Sequence, residues 1–308
     1  MGYETSPSIL TRKMSSRHKN SVCAVVVTYF PDSGFEERLR MILPQVESLV
    51  MVDNSPEGDK VRQLGILAEY RGRVLLVENH ANLGIAAALN CGLENAVQLG
   101  CKWLLTLDQD TRCFPDMVDT LLRVHGAGER IAVVGSNYFD YRNTRTAAPA
   151  SDGDEYLERK TVITSGSLVD VGVASNLGGF REDYFIDQVD HEFCLRVRAH
   201  GYRVVISRKP LMAHSVGTSG GAWLPFLGNF PNHPPVRKYY IVRNTVVTVF
   251  DYWRREPEWC LRRLVRLFFG LILMATLETH RVAKVLAFMR GIKDGFSRRM
   301  GICPHEYS

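Results

Sequence analysis

Residues 22–29 (VCAVVVTY) are continuously apolar and β-branched, the pattern of a strand buried on both faces of a parallel sheet. Four runs of the same kind follow at Ser48–Asp53 (SLVMVD), Val74–Glu78 (VLLVE), 103–107 (WLLTL) and 131–135 (IAVVG). Between them the period changes. Over 82–99, Ile85, Ala88, Leu89, Gly92, Leu93, Ala96 and Val97 fall on one face of a 3.6-residue helix. Strand alternating with helix predicts an α/β domain on a doubly wound, mostly parallel sheet. Such sheets bind ligands at the C-terminal ends of their strands. Three of these runs end in polar side chains, at Thr28-Tyr29, Asp53-Asn54 and Asp108-Gln109-Asp110, so the site is expected there.

Composition narrows the class. With 308 residues, 45% hydrophobic, 23% charged and 10% aromatic, the chain has ordinary globular values, which exclude disordered, collagen-like and disulfide-scaffold proteins. The seven cysteines are odd in number and show no CxxC pair, as in a reducing, cytoplasmic compartment. Residues 1–20 are rich in Ser, Lys and Arg without an apolar core, and are predicted to be a flexible arm, neither signal peptide nor span. A main domain over 21–236 and a basic, amphipathic helical region over 237–308 are expected, because 14 Lys or Arg face only 6 Asp or Glu beyond residue 236. Within that region 261–277 is apolar but interrupted by Arg262, Arg263 and Arg266, too short for a bilayer crossing. With Trp253, Trp259, Phe268 and Phe269 it suits a helix lying on an anionic membrane surface; a helix buried against the main domain is the alternative.

Nucleotide and nucleic-acid motifs are mostly missing. There is no GxxxxGK[ST] loop, and Gly126-Ala127-Gly128 lacks the third glycine and precedes a strand. Helix-turn-helix, zinc-finger and RNP patterns are absent too, so no nucleic-acid partner is expected. The chemistry must lie in the carboxylates. Asp108 and Asp110 leave one strand end together, as hard oxygen ligands of Mg²⁺ or Mn²⁺ do, although such a triplet also occurs in solvated turns.

The blocks Asp53-Asn54-Ser55-Pro56, Asn82-Leu83-Gly84-Ile85-Ala86, Leu107-Asp108-Gln109-Asp110-Thr111, 185–192 (FIDQVDHE) and 237–244 (RKYYIVRN) arrive in order along the chain. In that order they resemble family 2 inverting glycosyltransferases of GT-A fold, most of all bacterial rhamnosyltransferases that use dTDP-L-rhamnose. The resemblance covers nearly the whole chain. It implies transfer of rhamnose to a hydroxyl of a glycan or lipid-linked acceptor (O-antigen, cell-surface polysaccharide or rhamnolipid type), at the inner face of the bacterial plasma membrane. A family 2 enzyme with another donor, such as a UDP-hexose, is the alternative. A non-catalytic nucleotide-sugar-binding relative would lack Asp110 or Asp190, and both are present.

By that resemblance Thr28 and Tyr29 line the nucleotide pocket, Asp53 holds the base, and Asn82 and Gly84 let the backbone approach the nucleotide, with Asn82 also capping its helix. Asp108 contacts the donor sugar, and Asp110 binds the metal on the diphosphate. His214 is a second metal ligand or a residue beside one. Gly166, in Ser165-Gly166-Ser167, marks the acceptor strand or a plain strand bulge. Val189 stands where the family has Glu in a Glu-Asp pair, so Asp190 alone is the aligned base, flanked by Asp187 and Glu192 as acceptor-binding groups. Arg237 and Arg243 grip phosphate, with a structural ion-pair network as the alternative. A carboxylate base suits the chemistry, since an acceptor hydroxyl is a poor nucleophile near neutral pH until its proton is taken.

Overall fold

The computed structural model describes residues 21–56, 59–140, 145–146, 148, 154–213, 222–224 and 228–304. The expected arm at 1–20 and His214 lie outside these residues. Strands form where the apolar runs place them: β1 (Val22–Thr28), β2 (Ser48–Asp53), β3 (Val74–Glu78) and β4 (Trp103–Asp108). They are followed by β5 (Arg112–Cys113), β6 (Ile131–Asp140), β7 (Arg145–Thr146), β8 (Tyr156–Glu158), β9 (Ser167–Asp170) and β10 (Arg203–Ala213), with a separate hairpin of β11 (Ala222–Leu224) and β12 (Gly228–Phe230).

The main sheet runs β3-β2-β1-β4-β9-β6-β10-β5, with β7 on β6 and β8 on β10. Its first half, β3-β2-β1-β4, is parallel. β9 then pairs antiparallel to both β4 and β6, so the sheet is mixed beyond β4. The helices are α1 (Phe35–Ile42), α2 (Asp59–Arg62), α3 (Gly65–Glu69), α4 (Ile85–Gln98), α5 (Met117–Gly126), α6 (Val171–Asn176), α7 (Val189–Ala199), α8 (Pro235–Tyr252), α9 (Pro257–Thr276) and α10 (Arg281–Phe296).

β1 is apolar throughout because both its faces are covered. Alternate residues Cys23, Val25 and Val27 meet α4, α6 and α7, while Val22, Ala24 and Val26 meet α1, α3 and α5. On α4, Gly92 brings helix and sheet together: a Cβ there would stand 2.3 Å from a Val25 methyl.

The C-terminal helices are joined to this core. Val247 of α8 belongs to the same cluster as β1 and α4, and the expected boundary at 236/237 falls inside the first turn of α8. Leu195, Val249, Tyr252, Trp259 and Cys260 tie α7, α8 and α9, while Val242, Met274 and Phe288 tie α8, α9 and α10. Among the described residues no helix is long and apolar enough to cross a membrane.

Candidate active site

Parallel register alone brings the first polar residues together. Thr28 lies beside Asp53, and Val27 beside Asp108, so three strand ends open on one edge. Asp53 is fully buried. Its Oδ1 accepts from Thr28 Oγ1 at 2.9 Å, from Ser55 Oγ at 2.8 Å and from the Ser55 N–H at 3.1 Å. Its Oδ2, equally buried, has no donor among the described residues. A buried carboxylate oxygen without a partner is costly.

The Asp108-Gln109-Asp110 turn is fixed through its backbone and its middle residue. Gln109 Oε1 accepts from the Tyr29 N–H at 2.8 Å, and its amide donates to the Tyr29 carbonyl at 3.2 Å. Arg38 Nε donates to the Gln109 carbonyl at 2.7 Å. Ser165 Oγ accepts from the Asp108 N–H at 3.2 Å and meets Thr111 Oγ1 at 2.5 Å. Tyr29 is left 47% exposed at the mouth, its ring edge-on to Phe30.

Asn82 and Gly84 form a tight turn before α4. Asn82 Oδ1 accepts the Gly84 N–H at 3.0 Å, so it closes the turn, and Gly84 itself occupies the cap position that the sequence reading gave to Asn82. Gly84 has φ +86°, and a Cβ there would stand 2.5 Å from the Phe185 carbonyl oxygen. That same carbonyl accepts the Ile85 N–H at 2.7 Å. The glycine therefore locks this turn onto the segment at 185–188.

That segment is strained. Phe185, Asp187 and Gln188 all have left-handed φ values of 62° to 64°, a conformation that costs a non-glycine residue on the order of 1–3 kcal/mol. The carbonyls it exposes are met by α8. Asn244 Nδ2 donates to the carbonyls of Tyr184, Ile186 and Asp187 at 2.9 to 3.0 Å. Arg243, 0% exposed, donates to those of Asp183, Tyr184 and Gly301. The turn delivers Asp187 to Arg237, which grips it with Nε and Nη2 at 3.1 to 3.3 Å. Two residues into α7, Asp190 accepts the His191 N–H at 2.7 Å. Burial, then the nearby Asp187 and Asp108 carboxylates, push Asp190 up to about 6, against the pull of the His191 N–H and Arg263. Burial raises Asp187 as well, opposed by Arg237.

Thr28, Asn82, Asp108 and Asp110 thus share a cleft of about 610 Å³ with Asp187, Asp190 and Arg237, a volume in the usual range for small-ligand sites. Tyr29 and Gly84 line it too, and Asp53 lies beneath Thr28 and Asn54.

Three expected cleft residues lie elsewhere. Arg243 is spent on backbone carbonyls behind the strained turn. Glu192 points into the protein, where Arg196 and the Tyr252 hydroxyl hold it at 3.0 and 2.9 Å. Gly166 faces Met212 and Ser136, its φ of +76° marking a sharp bend; its neighbour Ser165 lines the cleft instead. Trp259, expected on an exposed apolar face, is buried with Arg263 over its ring at 4.9 Å.

Gln109 and Ser165 were given no role of their own from the sequence, Asn244 was read with Arg237 and Arg243 as a phosphate-gripping group, and Arg263 only as a break in the apolar run at 261–277. Gln109 lay in plain sight between the two aspartates. Nothing in the local pattern around Arg263 shows that it reaches His191 Nε2.

A parallel nucleotide-type edge, two carboxylates on one strand end and a facing carboxylate at a helix start define a glycosyltransferase of GT-A fold. The chain belongs to glycosyl transferase family 2, whose profile matches residues 21–185. It is 28% identical over 243 residues to the dTDP-rhamnosyl transferase RfbF of Shigella flexneri, covering 73% of this chain and 78% of that one. Its fold is that of S. aureus TarS 1-349 in complex with UDP-GlcNAc (TM-score 0.62, 14% identity, 88% and 81% of the two chains). It is also that of GalNAc-T7 with UDP, GalNAc and Mn²⁺ (TM-score 0.59, 11% identity, 90% and 56%).

Proposed function

We propose that the protein moves L-rhamnose from dTDP-L-rhamnose to a hydroxyl of a glycan or lipid-linked acceptor, with inversion at the anomeric carbon. The observation that carries the transfer chemistry is Asp190, a carboxylate poised near pH 6 in the same cleft as Asp108 and Asp110. The 28% identity to a dTDP-rhamnosyl transferase supports the donor.

In this reading the unpartnered Asp53 Oδ2 accepts the imide N–H of the thymine base, a charge-assisted hydrogen bond. Tyr29 covers the base, while Asn82 and Gly84 hold the turn beside the nucleotide. Asp108 orients the donor sugar. Arg237 pairs with Asp187, opposing the rise that burial imposes on its carboxyl, and faces the phosphates. Asp190 takes the proton of the acceptor hydroxyl as it attacks, and attack from the side opposite the nucleotide inverts the centre.

Asp108 and Asp110 fit Mg²⁺ or Mn²⁺ as hard oxygen donors at the diphosphate position. Among the described residues no group of three His, Cys, Asp or Glu encloses a cation, so diphosphate and water would complete its shell, with His214 a further ligand. The ion, when bound, offsets the charge that develops on the leaving dTDP.

The membrane surface is the proposed location. One face of α9 leaves Leu261, Leu264, Phe268 and Ile272 exposed, and α10 leaves Val282, Leu286 and Met289 exposed, beside the exposed Arg262. Flotation with anionic vesicles tests this: Phe268→Asp should release the protein, and equal flotation would refute the location.

A panel of nucleotide sugars tests the donor. Turnover, or slow hydrolysis without acceptor, is expected with dTDP-L-rhamnose at well above the rate with UDP-glucose or UDP-GlcNAc. Preference for a UDP-hexose would overturn the donor assignment and keep the transferase.

A further inference from the structure

The two carboxylates on the wall facing the strand ends are each met by an arginine, and the two arginines come from different helices. Asp187 is gripped directly by Arg237 of α8. At Asp190 the hydrogen bond comes from the His191 N–H, and the cation that acts on it, Arg263 of α9, touches the His191 ring and not the carboxylate. We propose that Arg263 is a positioning residue for the transfer: through His191 it fixes the first turn of α7, and its charge faces the base from behind the cleft wall. The inference rests on Asp190 being the base of a transferase, and adds to that reaction a residue from the C-terminal helices.

Arg263 stands outside the cleft. Asp190 and His191 line the cleft of about 610 Å³, whereas Arg263 lines a separate cavity of about 200 Å³ between α8 and α9. It therefore reaches the base through protein, without a place beside the substrate. Its guanidinium is held from two sides, lying over the Trp259 ring at 4.9 Å and donating to His191 Nε2. Trp259 in turn meets the His191 ring edge-on at 5.8 Å, and it is buried with Leu195, Val249 and Tyr252 in the cluster that ties α7 to α8 and α9. A turn of α7 about its axis would break these contacts, so α9 sets where Asp190 stands.

The charges around Asp190 then separate cleanly. A guanidinium can only donate, so His191 Nε2 accepts and the imidazole is neutral, with its proton on Nδ1. Burial and the charges of Arg263 and Arg266 hold that ring well below its ordinary range, so it brings no second cation to the base. Asp187 and Asp108 raise Asp190 and Arg263 lowers it. Asp187 is offset by Arg237, Glu192 is turned inward onto Arg196, and Asp110 shares the cleft. Cys194, one turn along α7, is kept a neutral thiol, pushed up to about 12 by burial.

A cation at one remove suits a general base better than a direct ion pair. A bidentate guanidinium would fill the carboxylate's lone pairs and pull it down to the ordinary range or below. Arg263 instead offsets part of the burial penalty and leaves the carboxylate able to take a proton from the acceptor hydroxyl.

Three variants separate charge from contact. Arg263→Gln keeps a donor for His191 and loses the charge, Arg263→Met loses both, and Arg263→Lys keeps both. Two quantities are measured at one fixed Mg²⁺ concentration: the pH dependence of kcat/KM for dTDP-L-rhamnose hydrolysis, and the carbon-13 NMR titration of labelled aspartate carboxyls, with the Asp190 signal assigned by its loss in Asp190→Asn. In the wild type both should turn near 6. In Arg263→Gln and Arg263→Met both midpoints should rise by about one pH unit, the low end of what one nearby opposite charge does. Hydrolysis should then fall about fivefold at pH 6 and hardly at pH 8, as one titrating group requires, with KM for the nucleotide sugar unchanged. Arg263→Lys should return both midpoints to near 6. Thermal melts of each variant confirm folding.

Unmoved midpoints in Arg263→Gln, or Arg263→Lys midpoints that follow those of Arg263→Gln, would show that Arg263 only packs on Trp259. A loss equal at pH 6 and pH 8, or a raised KM, would likewise overturn the assignment. The transferase reading fails separately. If the Asp190 carboxyl shifts as expected while the protein neither binds nor hydrolyses a nucleotide sugar, Arg263 still governs that carboxylate but there is no transfer for it to serve.

Discussion

On the strand-end wall of the cleft, Thr28, Asp53 and Asp108 take their places from parallel register, and their fixing bonds come from Ser55, Gln109 and Ser165 nearby. On the facing wall, Asp187, Gln188 and Asp190 stand on a turn with three left-handed non-glycine residues. That turn persists because Asn244, 57 residues beyond Asp187, caps its carbonyls and Arg243 braces them from below. The first wall is preorganised by the sheet. The second borrows its shape from the C-terminal helices, at a cost in local strain that the helices must cover. In the proposed mechanism the first binds the donor and the second supplies the base, so damage to α8 at Arg243 or Asn244 should reach the chemistry while the strand-end wall keeps its hold on the base.

The largest expected effect lies on the strand-end wall. Asp110→Ala should lower transfer by about 10³-fold or more, as the loss of a cation worth several kcal/mol implies, and excess EDTA should mimic it. Full activity of the wild type in EDTA would remove the metal from the account. Next is the facing wall. Arg243→Leu leaves buried carbonyls without donors and should cost about 3 kcal/mol in urea unfolding. An unchanged midpoint would show that the turn does not need its brace.

Smaller effects follow from the Asp190 proton. The group acts only when ionised, and it is raised to about 6. kcat/KM should therefore fall tenfold per pH unit below about 6 and be flat above it; a limb near 4 would place the base elsewhere. A raised carboxylate also opposes folding: its ionisation costs stability progressively as pH rises from the ordinary carboxylate range through about 6. Asp190→Asn, which can still accept from His191, should accordingly be about 2 kcal/mol more stable than the wild type at pH 7–8, and equal to it at pH 3.

The contrast between the walls also explains what the sequence disclosed. Strands β1, β2 and β4 were legible because each is buried on both faces and reads as a continuous apolar run, and the half-buried β3 because its run is nearly as apolar. Their polar ends fixed Thr28, Asp53, Asp108 and Asp110 at one edge, since parallel neighbours align those ends. The facing wall was legible only in part. Asp187, Asp190 and Arg237 meet in the cleft, but Arg243, six residues on from Arg237, is turned roughly 120° round the helix and faces the interior. Closeness along a block does not tell which side of its helix each residue takes. Glu192 was misplaced for the same reason, two residues beyond Asp190 on a helix whose other side is core. The mixed half of the sheet was legible only at β6, which begins with the 131–135 run; β9, four residues long, left no such signal.

The division of labour between the walls is tested most directly by measuring donor affinity and single-turnover transfer side by side in Asp53→Asn and Asp190→Asn. Asp53→Asn presents an amide where the base needs an acceptor, and should weaken dTDP-sugar binding by about 10- to 100-fold while the bound donor still reacts. Asp190→Asn should bind donor as the wild type does and transfer about 10²-fold more slowly or worse. If Asp190→Asn turns over normally, or if it loses donor affinity in step with transfer, Asp190 is not the base and the two walls do not divide the work.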